Sequence, residues 1–155
     1  MANNVVKGIG AVTIVVSVVT AVLLPTPGES SKLVEYQARC HLAHAFLVTQ
    51  LPIAAKKAKL PSMYFTPGEA WRPTWVAKTY AAKGMGIAQS LHTKRLAFDN
   101  NLVLGGKVTF DPKDYVLAGL IWESIGPVFG IKPAWGGRFS SVDAVHFSCE
   151  WEGYK

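Results

Sequence analysis

Ser90-Leu-His92-Thr-Lys-Arg-Leu-Ala-Phe-Asp99, answered far downstream by Asp143-Ala-Val-His146-Phe, decides how this chain is read. On one continuous helix, His92 and Asp99 would share a face but stand two turns, about 10 Å, apart, too far for one ion. The Leu96-Ala-Phe-Asp99 text has the apolar character of a strand, so a loop-borne His92 and a strand-borne Asp99 can fold back to one point. A turn or strand start at Asp143 to His146 brings a second imidazole and a second carboxylate to the same place. Two imidazoles and a carboxylate around one ion, with a coordination position left open and a spare carboxylate beside it, form the inventory of a hydrolytic zinc site. By spacing alone, four unrelated polar residues would read the same way.

Outward from this stretch, the pattern is helices first and then short strands mixed with helices. Apolar positions from Lys32 to about Gln50 follow helical spacing, with Ser30 or Ser31 as a cap, and a second short helical stretch ends at Leu60-Pro61. Strands are expected at Ser62 to Thr66, Leu96 to Asp99, Leu102 to Leu104, Lys107 to Phe110 and His146 to Trp151. Helices are expected at Thr74 to Ala82 and Asp114 to Ser124; Lys83 to Gly86 and Gly105-Gly106 are turns, and Trp135 to Phe139 is a Gly-rich loop. The fold class is α+β: a short antiparallel sheet flanked by helices, with the metal site on the sheet face.

The 155 residues give room for one domain, and 50% hydrophobic content supplies a core. Gly8 to Leu24 is an uncharged run, stopped by Pro25-Thr-Pro27-Gly28, at the short end of what spans a bilayer. It lacks the polar periodicity of a core helix. Residues 1–31 are therefore read as a signal anchor or signal peptide with its linker, the uncleaved anchor preferred with Lys7 on the cytoplasmic side, and residues 32–155 as the exported domain. The net charge of +6 suits an anionic partner. Lys56-Lys57-Ala-Lys59 reads as a solvated helix end, and with no alternation of basic and aromatic residues a nucleic-acid partner is not expected.

Other residues draw plain readings. Cys40 and Cys149 are expected as two separate buried thiols rather than a bridge. His41 and His44, three apart with no acidic third ligand nearby, read as half-buried or surface histidines. Trp71 and Trp75 read as core or pocket wall, Arg95 as structural, and Trp135 and Trp151 as residues away from the cleft.

Five ordered segments carry a resemblance: Gly68-Glu-Ala-Trp-Arg72-Pro, Lys83-Gly-Met-Gly-Ile-Ala-Gln-Ser90-Leu-His92, Arg95-Leu-Ala-Phe-Asp99, Trp135-Gly-Gly-Arg-Phe, and Asp143-Ala-Val-His146-Phe-Ser. From about Thr66 to Glu150 the chain resembles the zinc peptidases that include D-alanyl-D-alanine carboxypeptidases and phage L-alanyl-D-glutamate endopeptidases. The resemblance implies zinc on His92, Asp99 and His146, an acid/base carboxylate at Asp143, a pocket arginine at Arg72 and a cavity serine at Ser90. For Arg72, an ion pair with Glu69 is the plainer alternative.

It also implies hydrolysis of the stem peptide of bacterial peptidoglycan. The Ser-Leu-His-Thr-Lys-Arg-Leu-Ala text looks most like the phage branch, so the L-Ala–D-Glu bond is expected, in a monomeric endolysin exported to the membrane or wall of the host. A D-Ala-D-Ala carboxypeptidase and a membrane-anchored wall-binding protein with a spent site are the alternatives. Ile125 to Pro133 is longer than the family pattern and is expected at the cleft rim.

Overall fold

The computed structural model describes residues 29–155. It is a mixed α+β fold in which helices flank a small antiparallel sheet. Helix α1 (Glu29–Lys57) buries Cys40, Ala43, Leu47, Leu51 and Ala54, a stripe stepping by three and four residues. The sequence divides this region into two helices, but the structure has one, running through Pro52. A mid-helix proline removes a hydrogen bond and crowds the preceding turn, at a cost of about 3 kcal/mol. Leu51, Ala54 and Ala55 continue the buried stripe across it, and their burial offsets that cost. The helix starts at Glu29, so Ser30 and Ser31 fall inside its first turn rather than before it. It ends with Lys59 in the left-handed region (φ 55°), Leu60 N–H on Ala55 and Lys59 N–H on Lys56, a Schellman closure.

Strand β2 (Ala97–Leu104) organises the sheet. Its outer half pairs with β1 (Met63–Pro67) on one edge and β3 (Lys107–Thr109) on the other, and Ala97 to Asp99 pair with β5 (His146–Cys149), which carries β4 (Pro133–Trp135). Strand β4 falls where the sequence suggests the approach to a Gly-rich loop; three residues are too few to show an alternation. Helices α2 (Thr74–Ala82), α3 (Val116–Ser124) and the short α4 (Gly126–Phe129) complete the fold, with 3₁₀ turns at Leu91–Lys94 and Gly136–Arg138.

Buried polar contacts fix how the layers meet. Trp122 on α3 shares its indole N–H between the carbonyls of Ala134 and Ser148, 3.1 Å each, which ties α3 to β4 and β5. Trp135 donates to Ala144 at 2.9 Å and is flanked by Gly119 and Gly137, where an added Cβ would stand 2.2 Å from its ring atoms. The Trp135 and Gly137 pair is thus a packing device around an indole.

Several expectations need correction. Cys40 and Cys149, read as separate thiols, are a disulfide joining α1 to β5 across 109 residues of sequence. Trp71 and Trp75 are neither core nor pocket wall but exposed, 51% and 71%. The Ile125 to Pro133 segment is not at the cleft rim: it forms α4, whose Phe129 meets Phe46 of α1. Trp151 packs on Tyr36, with ring centroids 5.2 Å apart. The Gly8 to Leu24 run lies outside the described residues, and among those described no helix is long and apolar enough to cross a membrane.

His44 stacks on Phe98 at 4.0 Å and donates from Nε2 to Asn100 Oδ1 at 3.0 Å. Burial pushes its imidazole below the ordinary value, with the Asn100 bond opposing and His41 adding to the effect. The unfolded chain therefore takes up a proton near pH 6.5 that the folded chain resists. The stability His44 contributes is full above that pH and is lost as pH falls through it. Urea midpoints are expected to drop between pH 7.5 and 5.5, and His44→Gln should narrow the drop; an unchanged drop contradicts this account.

Candidate metal centre

The turn at Leu91–Lys94 sets the first imidazole. Leu91 enters the core, His92 is 2% exposed, and Arg95 in the left-handed region (φ 54°) closes the turn with its N–H on His92 and redirects the chain into β2. Arg72 N–H also bonds the His92 carbonyl, at 3.2 Å. Asp99 is clamped by the neighbouring loop: Gly68 N–H donates to its carbonyl at 2.9 Å, and its own N–H donates to Glu69 at 2.8 Å. A Cβ at Gly68 would lie 2.7 Å from that carbonyl, so the approach requires glycine.

His146 is set by strand register, being the direct partner of Asp99 across β2 and β5. A slip of one residue would turn one of the two to the opposite face. Asp143 precedes the strand in a tight turn, its N–H on Gly136 at 3.0 Å and its carbonyl receiving His146 N–H at 3.1 Å. A Cβ at Gly136 would meet that carbonyl at 2.1 Å.

His92 Nε2, His146 Nδ1 and Asp99 Oδ1 form a nearly equilateral triangle with edges of 3.2, 3.2 and 3.3 Å. A tetrahedral ion with bonds of about 2.0 Å has ligand–ligand edges of about 3.3 Å, so the three donors have the spacing for one. Two imidazoles and a carboxylate suit a divalent transition ion, and the group is able to hold one. Burial opposes ionisation of Asp99, but hydrogen bonds from His146 and His92 outweigh it and hold the carboxyl well below the usual range. His92 Nδ1 is buried without a hydrogen-bond partner, so the polar contacts of the ring are those of Nε2 with Asp99 and His146.

The triangle opens on a cavity of about 400 Å³. Ser90 and Arg72 line it beside the 3₁₀ turn, and the loop Gly84 to Ile87 with Phe139, Ser141, Asp143 and Lys155 completes the wall. Asp143 is solvent-accessible, and partial burial raises its carboxyl above the ordinary value; His146 pulls it down, Asp99 adds to the rise, and His92 and Arg72 lower it. Ser90 is 6% exposed and makes no capping bond with its hydroxyl. The Arg72 guanidinium lies 5.0 Å over the Tyr80 ring and binds Glu69 through Nε at 3.0 and 3.1 Å and through Nη2. Both readings of Arg72 therefore coexist: it is at the cavity and it is paired with Glu69.

All six residues singled out in the sequence line this one cavity. Phe139, inside the Trp-Gly-Gly-Arg-Phe segment, and Lys155 carried no signal of a place there.

No protein-family model matches the chain, and no curated protein is similar to it in sequence. Among solved structures, the crystal structure of the Serratia marcescens L-Ala D-Glu endopeptidase ChiX aligns with it at a TM-score of 0.56 and 19% identity. The alignment covers 77% of this chain and 90% of that one. At this identity the likeness is one of architecture: the chain has the fold of that endopeptidase.

Proposed function

We propose that the chain is a zinc-dependent peptidase of the peptidoglycan stem peptide, cutting the L-Ala–D-Glu bond. The observation that carries this reading is the triangle of His92, Asp99 and His146 opening on a cavity with Asp143 in its wall. The fold it shares with an L-Ala D-Glu endopeptidase supports the substrate class.

Zinc at the triangle would supply Lewis acidity toward the scissile carbonyl and the attacking water. The chain's own residues do the rest. Asp143 takes the water proton and returns it to the leaving amine, a task suited to a carboxyl raised above its ordinary value. Asp99, held ionised, supplies the negative charge that a divalent ion requires. Glu69 occupies the Nε and Nη2 side of Arg72, which leaves the Nη1 hydrogens to donate toward a developing oxyanion. Ser90 offers its hydroxyl to the substrate backbone.

We further propose export by the hydrophobic segment before Pro25, as in a phage endolysin that acts at the host membrane or wall as a monomer. A disulfide between Cys40 and Cys149 fits an oxidising compartment, and a positive chain fits an anionic wall. Digestion of purified sacculi tests the chemistry. New amino termini on D-Glu are expected. Free D-Ala instead would make the chain a carboxypeptidase, and no released product would make it a wall-binding protein.

A further inference from the structure

The cavity has two cationic side chains in its wall, Arg72 and Lys155, and they are not equivalent. Glu69 holds Arg72 in a two-pronged ion pair, so the charge of that guanidinium is largely compensated before any substrate arrives. Among the described residues no Asp or Glu side chain pairs with the Lys155 ammonium. The nearest candidate along the chain, Glu152, is instead taken by Lys94 at 3.7 Å.

Local structure explains how Lys155 reaches the cavity. After β5 the chain makes a tight hairpin: Trp151 and Tyr154 exchange hydrogen bonds of 3.0 and 2.9 Å, with Glu152 at φ 51° and Gly153 at φ 83° between them. Two successive residues with positive φ are the signature of a type I′ turn, which reverses a strand in two residues. Trp151 anchors the hairpin on Tyr36, and the reversal brings Lys155 back to the cavity wall. Its ammonium lies over Phe139, 5.7 Å from the ring centroid, and the same ring lies 5.8 Å from that of His146. Phe139 thus neighbours both the cation and a member of the triangle.

We propose that Lys155, steadied on Phe139, is the residue that reads a free carboxylate on the substrate beside the scissile bond. The proposal rests on the peptidase reading above and deepens it. A stem glutamate linked onward through its side-chain carboxyl keeps its α-carboxylate free unless that group is amidated. Lys155 should therefore favour the D-glutamate form over the D-isoglutamine form of the same peptide.

The experiment uses purified muropeptides matched except for that group, carboxylate or amide, and measures both turnover and equilibrium binding. Wild type is expected to prefer the carboxylate about fivefold, the worth of a good partly solvated ion pair, with the difference in KM rather than kcat. Lys155→Ala should bring the ratio close to one, and Lys155→Arg should keep it. A Lys155→Ala protein that retains the wild-type ratio, or a wild type that shows no preference, overturns the proposal. If wild type cuts neither peptide, the peptidase reading fails, and the binding ratio still decides the role of Lys155.

Discussion

Replacing Asp143 by alanine is expected to leave a folded protein that still takes up one zinc ion per chain, while turnover of stem peptide falls by about 10²–10⁴-fold, the usual worth of a positioned acid/base group. Asp143 is in the cavity wall but outside the triangle whose atoms have ligand spacing. Its backbone, not its carboxylate, makes the turn with Gly136 and His146. Removing the carboxylate therefore takes away proton transfer without touching a ligand or a structural hydrogen bond. Asp143→Asn is expected to be as inactive, since an amide cannot accept the proton. Thermal unfolding, zinc content and single-turnover cleavage, measured together, check the separation. A variant that keeps more than a tenth of wild-type turnover contradicts the role.

The second large effect is expected in stability. Reducing the Cys40–Cys149 bridge, or replacing Cys149 by serine, should cost about 3–5 kcal/mol, because the bridge closes a loop of 109 residues and removes that freedom from the unfolded chain. Against a typical domain stability of about 5–15 kcal/mol, this is a large fraction. The bridge also pins β5, the strand that begins with His146, to α1, so the reduced protein should lose zinc at lower urea than the oxidised one. Urea unfolding followed by tryptophan fluorescence, with and without reductant, measures both. A shift below about 1 kcal/mol would show that α1 docks without its covalent tie.

Much of the fold could be read because local chemistry and tertiary packing agree. Thr74 to Ala82, the Gly105-Gly106 hairpin turn and the strand character of Leu96 to Asp99 each have side chains whose pattern matches their surroundings. A strand-borne Asp99 allows a turn-borne histidine and a second strand to share a point with it, but spacing alone does not single out His92, Asp99 and His146; the resemblance carried by the five segments around them does. What could not be read depends on distances through space. The disulfide joins residues whose separation says nothing of their approach. The helix divided in the sequence reading continues through Pro52, and the buried stripe on both sides of it explains why. The exposure of Trp71 and Trp75 runs against the burial usual for tryptophan; Trp71 serves instead as a surface platform for Arg95, 5.6 Å from its ring. Lys155 belongs to the cavity only because a two-residue turn reverses the chain, and the lysine itself holds no trace of that turn.

The central claim is that one ion is held by three side chains from three parts of the chain. Zinc per chain, determined by elemental analysis after dialysis against micromolar zinc, tests it most directly. The account predicts one equivalent in wild type and in Asp143→Ala, and less than about a tenth in His92→Ala and His146→Ala, each shown to be folded by circular dichroism. A wild type that binds no zinc, or folded histidine variants that keep a full equivalent, would contradict it.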